Sequence, residues 1–289
     1  MPRHMPDKAY ENLRFVNSRE GRVMRIMAEY LEPQKRLRDA GIEDTIVFFG
    51  SARIPSQEDA TRTLSDLRGM AKVAPEALAK AQRNLEMSRY YEAARSLSHK
   101  LTKWAAALSA AQGDPGQRFS VVTGGGPGIM EAANRGAAEA GGSTLGMNIS
   151  LPFEQYPNDY ISDGMAFEFH YFFMRKFWLV YLAKAAVVMP GGFGTLDEFT
   201  EMLTLVQTEK IRRKLPIVLF GADYWDKILS FEPMAEYGTI DLEDLALFHR
   251  TDSVEDAFDW LKSQLSAWAV DHPGAGLTTS VEIVGALDR

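Results

Sequence analysis

Apolar residues along this chain fall into two alternating patterns: short runs rich in Val, Ile and Phe, and longer stretches in which they recur every three or four positions. The short runs are TIVFFGSAR, FSVVTGGG, STLGMNIS, AFEFHYF, KAAVVMPGG and LPIVLFG. Strands that alternate with helices predict a parallel sheet with right-handed crossovers. The expected fold is therefore α/β, a three-layer Rossmann-like doubly wound parallel sheet carrying a helical N-terminal extension and a helical insertion. Residues 8–40 form an amphipathic, charge-rich helical stretch, suited to covering a sheet face or buttressing a subunit interface. The insertion runs from Pro55 to Gln117. Its polar helical part around Ser65 to Ala81 is interrupted at Pro75, and its later part carries Leu97, Leu101, Trp104 and Leu108 on one stripe, to pack on the sheet or a neighbour. After Leu229 come the segment Asp241 to Phe248, a helix over Ser253 to Ala267 and a Pro/Gly-containing tail. The whole of 1–289 reads as one domain: extension 1–40, α/β core 45–230 with insertion 55–117, and C-terminal helical segment and tail 231–289.

Three of the strand runs end in glycine turns, and two of these carry candidate chemistry. AAVVM, Ala185 to Met189, leads into PGGFGTLDEF, and FTEMLTLVQ leaves it with Phe199, Met202, Leu203 and Val206 at helical spacing. Gly191, Gly192 and Gly194 permit a close backbone approach, and the helix start adds unpaired N–H donors and a partial positive charge, so a phosphate fits there. Thr195 offers a hydroxyl or a helix cap. Asp197 and Glu198 suit a first turn electrostatically, and such acids are most often only dipole partners. The second turn lies in VVTGGGPGIMEAANRGAAEAGG, with Phe119 to Thr123 as strand and Ile129 to Ala140 as helix. Neither turn fits the dinucleotide fingerprint G-x-G-x-x-G, since the third glycine position falls on Ile129, Glu131 or Asp197. Neither ends in the GK[ST] of a P-loop, which leaves a mononucleotide as the favoured ligand. Gly50, Ser51 and Arg53 should reach the same carboxyl edge of the sheet, with Arg53 a possible extra charge for phosphate or base. Glu131 suits a dipole role.

Composition narrows the classes further. The chain has 289 residues, 46% apolar and 25% charged, with a formal net charge of −7. That balance argues against a nucleic-acid groove or an anionic membrane surface as main partner. Cysteine is absent, and the histidines at 4, 99, 170, 249 and 272 lack the i, i+4 spacing of a helical metal site, so no structural metal is expected. The first fifteen residues hold no apolar core of a leader and no run of about 18 apolar residues appears, so a cytoplasmic protein is the expectation.

Together the glycine runs resemble the LOG family of phosphoribohydrolases, also labelled lysine decarboxylase-like in bacteria. Its pattern PGGxGTxxE is met in full by Pro190, Gly191, Gly192, Gly194, Thr195 and Glu198. Its upstream GGGxxGxM is met by Gly124 to Gly126 and then, with one offset, by Ile129 and Met130. Pro127 and Gly128 tighten that loop by one residue, which looks like the longer bacterial branch. FHYFFMRK, Phe169 to Lys176, resembles the segment bearing the family's Arg-Lys pair, without the His-rich lead-in of the short members. The resemblance spans roughly Thr45 to Leu229.

What this resemblance implies is hydrolysis of the N-glycosidic bond of a nucleoside 5′-monophosphate to free base and ribose 5-phosphate, with no cofactor. The residues are compatible with that chemistry on their own. Bond breaking develops oxocarbenium character, which a carboxylate such as Glu198 stabilises, and Arg175 can bind phosphate bidentately or stabilise the leaving base. These two are the implied catalytic residues. Gly191, Gly192, Phe193, Gly194, Thr195, Leu196, Asp197, Lys176, Glu154, Thr204, Gly124, Gly125, Gly126 and Ser51 would contact substrate. One of Phe172, Phe173, Phe177, Trp178 and Tyr181 could stack on the base, the rest serving the core or an interface. The family also implies a homodimer or larger even homo-oligomer. The main alternative is a non-catalytic nucleotide-binding or sensor protein on the same fold. A pyridoxal-phosphate decarboxylase needs a Schiff-base lysine, and Lys184 sits at a strand start, away from the loops.

Overall fold

All six apolar runs become strands in a computed structural model of the chain, which describes residues 7–112, 118–151, 156–211 and 214–272. They are β1 (Thr45–Phe49), β2 (Ser120–Thr123), β3 (Thr144–Ile149), β4 (Ala166–Phe169), β5 (Ala183–Val188) and β6 (Ile217–Phe220). A seventh, β7 (Phe248–Thr251), closes the far edge, giving the all-parallel order β4-β3-β2-β1-β5-β6-β7. The chain thus winds outward from β1 to β4, returns to the middle at β5, and winds the other way. That is the doubly wound α/β fold expected.

Alternation along each strand feeds two cores. Val47 and Phe49 of β1 join Ala186 and Val188 of β5 in one, while Ile46 and Phe48 join Ala185 and Val187 in the other, all nearly inaccessible. Each fully buried large apolar side chain contributes about 1.5–3 kcal/mol relative to exposure. The N-terminal helices are α1 (Leu13–Val16) and α2 (Arg22–Asp39). The insertion forms α3 (Gln57–Gly69) and α4 (Pro75–Gln112), and α5 (Ile129–Glu139) follows β2. Pro75 does interrupt the polar stretch, as the first residue of α4, where its missing N–H costs nothing. Leu97 and Leu101 of α4 are buried in the second core with α5, and Trp104 and Leu108 pack against it. Gly136 of α5 allows the close approach, because a Cβ there would strike the Arg95 backbone.

The first core is covered by α6 (Phe172–Tyr181) and α7 (Phe193–Gln207), and α2 lies against α6. Glu29 of α2 fixes this contact. Its carboxylate accepts the backbone N–H of His170 and Tyr171 at 2.8 and 3.2 Å, and its carbonyl accepts the Trp178 indole N–H at 2.9 Å. Beyond β6 come α8 (Ala222–Ile228), α9 (Glu232–Glu236) and α10 (Val254–Trp268), the last packed on the second core. At the amino edge of the sheet, buried Asp44 pairs with Arg118 and, at 3.3 Å, with Lys184; Arg118 and Lys184 also donate to the carbonyls of Ala269 and His272, tying down the end of α10. Lys184 is therefore on the edge opposite the glycine loops. Among the described residues no helix is long and apolar enough to cross a membrane, and no His, Asp and Glu side chains gather as a metal site.

Candidate functional site

Because β1 lies between β2 and β5, the turns that end these three strands meet at the point where the winding reverses, the usual crevice of such sheets. The turns brace one another through backbone hydrogen bonds. Ser51 N–H donates to Pro190 O, and Ile129 N–H to Ser51 O, both at 3.0 Å. Gly128, at φ +71°, packs on the backbone of Ser51 and Ala52, where a side chain has no room. Between the turns opens a cleft of about 800 Å³, within the size of small-ligand sites.

One wall is the start of α7. Gly192 is its N-cap and has no side chain to satisfy the first-turn N–H groups, so donors and dipole face the cleft. The Tyr224 hydroxyl holds the loop by donating to Gly191 O at 2.8 Å. Thr195 is buried and packs its side chain on Gly191, where a Cβ would collide with it. Phe193 projects outward, 92% exposed, at the rim. Ser51 and Arg53 of the β1 turn also line the cleft. Arg53 is exposed and forms no ion pair among the described residues.

Glu198 stands one turn into α7, its side chain 13% exposed. Its Oε1 accepts from Arg175 Nη1 at 3.1 Å, and Arg175, 12% exposed, is fixed by a 2.7 Å bond from Nε to Met147 O. Gly124 leaves space for this guanidinium, since a Cβ would lie on Arg175 Nη2. Burial pushes the Glu198 carboxyl up to about 7, the adjacent Asp197 adds to the rise, and Arg175 and Lys176 restrain it. A carboxyl that titrates near neutrality beside a fixed cation can carry negative charge, or exchange a proton, at the cleft floor.

Of the residues singled out in the sequence, Ser51, Gly124, Arg175, Gly191, Gly192, Phe193, Gly194, Thr195, Leu196 and Glu198 line this cleft. Others are placed elsewhere. Lys176 pairs with Asp197 at 2.7 Å and Glu201 at 2.9 Å in a separate, shallower groove with Thr204. The Thr204 hydroxyl donates back to Thr200 O at 2.8 Å, as helix threonines do. Gly125 and Gly126 shape the β2 turn: Gly125 sits at φ +75°, and Asn158 Nδ2 donates to both carbonyls, at 3.1 and 3.0 Å. Glu131 lies outside the cleft and accepts the Tyr91 hydroxyl at 2.7 Å. Glu154 lies outside the described residues. Of the aromatic cluster, Phe172 alone reaches the cleft, while Phe177 and Trp178 pack on Tyr30 of α2.

Several lining residues were not anticipated: Met87 from α4, Tyr224 and Ile228 from α8, and Asn148 from β3. Asn148 had a legible signal, a carboxamide near the carboxyl end of a mostly apolar strand, on the edge where the glycine turns lie.

The fold and this crevice define a doubly wound α/β protein with a helix N-terminus lacking a side-chain cap and a buried carboxylate–guanidinium pair at its switch point. A family model described as possible lysine decarboxylase matches residues 130–261. The chain is 31% identical over 114 residues to a probable cytokinin riboside 5′-monophosphate phosphoribohydrolase of Oryza sativa subsp. japonica, covering 38% of this chain and 44% of that protein. It is 27% identical over 186 residues to a cytokinin riboside 5′-monophosphate phosphoribohydrolase of Arabidopsis thaliana, covering 57% of this chain and 82% of the relative. The chain thus spans under half of the length of the rice relative. A molybdenum cofactor binding protein from Rippkaea orientalis superposes with a TM-score of 0.40 at 19% identity, over 76% of this chain and 96% of its own. Over the part of the chain that these matches cover, it is similar to proteins of the LOG family.

Proposed function

We propose that the protein hydrolyses the N-glycosidic bond of a nucleoside 5′-monophosphate, releasing free base and ribose 5-phosphate. The observation that carries this reading is the position of Glu198: a buried carboxylate one helical turn from a helix N-terminus with no side-chain cap, held by Arg175. The 5′-phosphate docks on the first-turn N–H groups of α7, with Arg53 as its free counter-charge. The ribose is then fixed beside Glu198, and binding energy far from the reacting carbon sets the geometry. As the C1′–N bond breaks, the base leaves with the electron pair and takes up a proton. Positive charge grows on the sugar and is stabilised by the ionised Glu198. Water adds to C1′ and its proton passes to the carboxylate. Arg175, committed to Glu198 and Met147, keeps that carboxylate ionised and oriented, which favours a role at the sugar over one at the phosphate.

The test is release of free base from AMP, GMP, CMP and isopentenyladenosine monophosphate, followed by chromatography. No base from any of them overturns the reading. With activity in hand, Glu198→Gln should lower kcat by about 10²-fold or more while nucleotide still binds, whereas Arg175→Ala should weaken both. A fully active Glu198→Gln protein would remove the residue from the mechanism.

A further inference from the structure

Asn148 is 3% exposed and lines the cleft, yet its Oδ1 is buried with no hydrogen-bond partner among the described residues. Its Nδ2 makes no hydrogen bond there either. The other buried side-chain polar atoms left unpartnered, such as those of Thr45, Thr102 and Tyr171, do not face the cleft. An unmatched buried carboxamide costs about 1–3 kcal/mol, so one retained at a ligand cleft calls for a ligand that pairs with it. The surrounding chain makes room for the group. A Cβ on Gly125 would lie 1.8 Å from Oδ1, and one on Gly146 would lie 3.2 Å from it.

Position decides which part of a nucleotide it meets. Between α7, at the end of β5, and Asn148, on β3, lie β1 and β2. Three strand spacings amount to about 14 Å. The Glu198–Arg175 pair stands between, with Arg175 bonded to the carbonyl of Met147, the residue before Asn148. If phosphate sits at α7 and sugar at Glu198, what reaches β3 is the base.

We propose that Asn148 is a specificity-determining residue that reads the base through paired hydrogen bonds, to an exocyclic polar group and the ring nitrogen beside it. This rests on the nucleotide-hydrolysing reading above. A carboxamide places one donor and one acceptor in a plane, and rotation about its terminal bond offers either end to the ligand. It therefore matches the polar edge of a base, as Asn matches adenine elsewhere, and keeps only the ring-nitrogen bond on a base that lacks exocyclic groups.

The experiment measures binding by calorimetry to Glu198→Gln protein, in which ligand survives, with Asn148 intact or replaced by Leu or by Ser. The probes are AMP, purine riboside 5′-monophosphate, which has no exocyclic group, and ribose 5-phosphate, which has no base. With Asn148 intact, AMP should bind roughly tenfold more tightly than the unsubstituted purine nucleotide, and both replacements should erase that preference while leaving ribose 5-phosphate affinity unchanged. The ribose 5-phosphate value also reports that the variants are folded. An unchanged AMP preference in both variants overturns the proposal, as does an equal loss for all three probes, which would place Asn148 at the sugar or phosphate. If the protein with Asn148 intact binds none of the probes, the nucleotide reading falls and this assignment with it.

Discussion

Glu198 should destabilise the empty protein, and replacing it by the isosteric but neutral Gln should show by how much. Its carboxyl stands at about 7 against 4.5 for a free glutamate side chain, with burial as the principal cause and the attraction of Arg175 already included. At about 1.4 kcal/mol per pH unit, the ionised form is roughly 3 kcal/mol less favourable in the folded chain than in the unfolded one. Between pH 4.5 and about 7 the folded chain keeps a proton that the unfolded chain has lost, so this residue's contribution falls as pH rises and is constant above that window. Glutamine does not titrate. The stability of Glu198→Gln relative to the unmodified chain should therefore increase by roughly 3 kcal/mol from the acid end of the window to pH 8, or roughly 6 °C in Tm. Thermal unfolding of both proteins, without ligand, at about pH 5 and pH 8 reads this directly, with most of the change absent at the lower pH. A Tm difference that does not widen between the two, or a variant less stable than the unmodified protein at pH 8, would refute the reasoning that the acid is ionised against its surroundings.

Other consequences follow from the same geometry. If ionised Glu198 acts on the sugar, kcat should rise with pH through about 7 and level off, and Arg175→Ala should move that midpoint upward in a pH–rate profile, because the nearest restraining charge is gone. Arg53→Ala should raise KM for nucleotides by about tenfold with kcat little changed if, as proposed, its charge is offered to the phosphate and not to the reacting carbon; a selective loss of kcat would contradict that role. Gly124→Ala should displace the Arg175 guanidinium and abolish base release while costing little in Tm. Asp44→Ala leaves Arg118 and Lys184 buried without their carboxylate and should lower unfolding stability in urea by about 3–5 kcal/mol, with base release below the transition unaffected.

The strands were legible wherever burial on both faces forced a continuous apolar run, as in TIVFF and AAVV. β7 was not, because FHRT lies at the sheet edge with His249 and Arg250 partly exposed, so no run of apolar residues marks it. The glycine turns were legible because few other residues allow such close backbone approach. Which neighbours of those turns face the cleft was not, since consecutive helical residues point about 100° apart. Arg175 and Lys176 share a motif, yet one enters the cleft and the other turns to Asp197 and Glu201. Thr204 shares a helix with Glu198, but six residues leave it about 120° away in projection, on a different face. A motif names residues jointly; the helix separates them.

That separation bears on how a glycine-lined site can do chemistry at all. A loop without side chains can hold an anion through its backbone but has nothing to offer the sugar beyond it. The acid must come from the first residues of the following helix, and only the one whose phase points inward qualifies, which here is Glu198 and not Asp197. Sitting there, its ionisation is opposed by burial, which pushes the carboxyl up to about 7. A neutral sugar relieves little of that cost. On the proposed reading, a ribose acquiring positive charge would relieve much more, so the unfavourable charge of Glu198 would become stabilisation weighted toward the transition state. Arg175 sets the balance: without it burial would lift the carboxyl further and leave it neutral at working pH, whereas a pairing much tighter would neutralise the charge that the sugar needs.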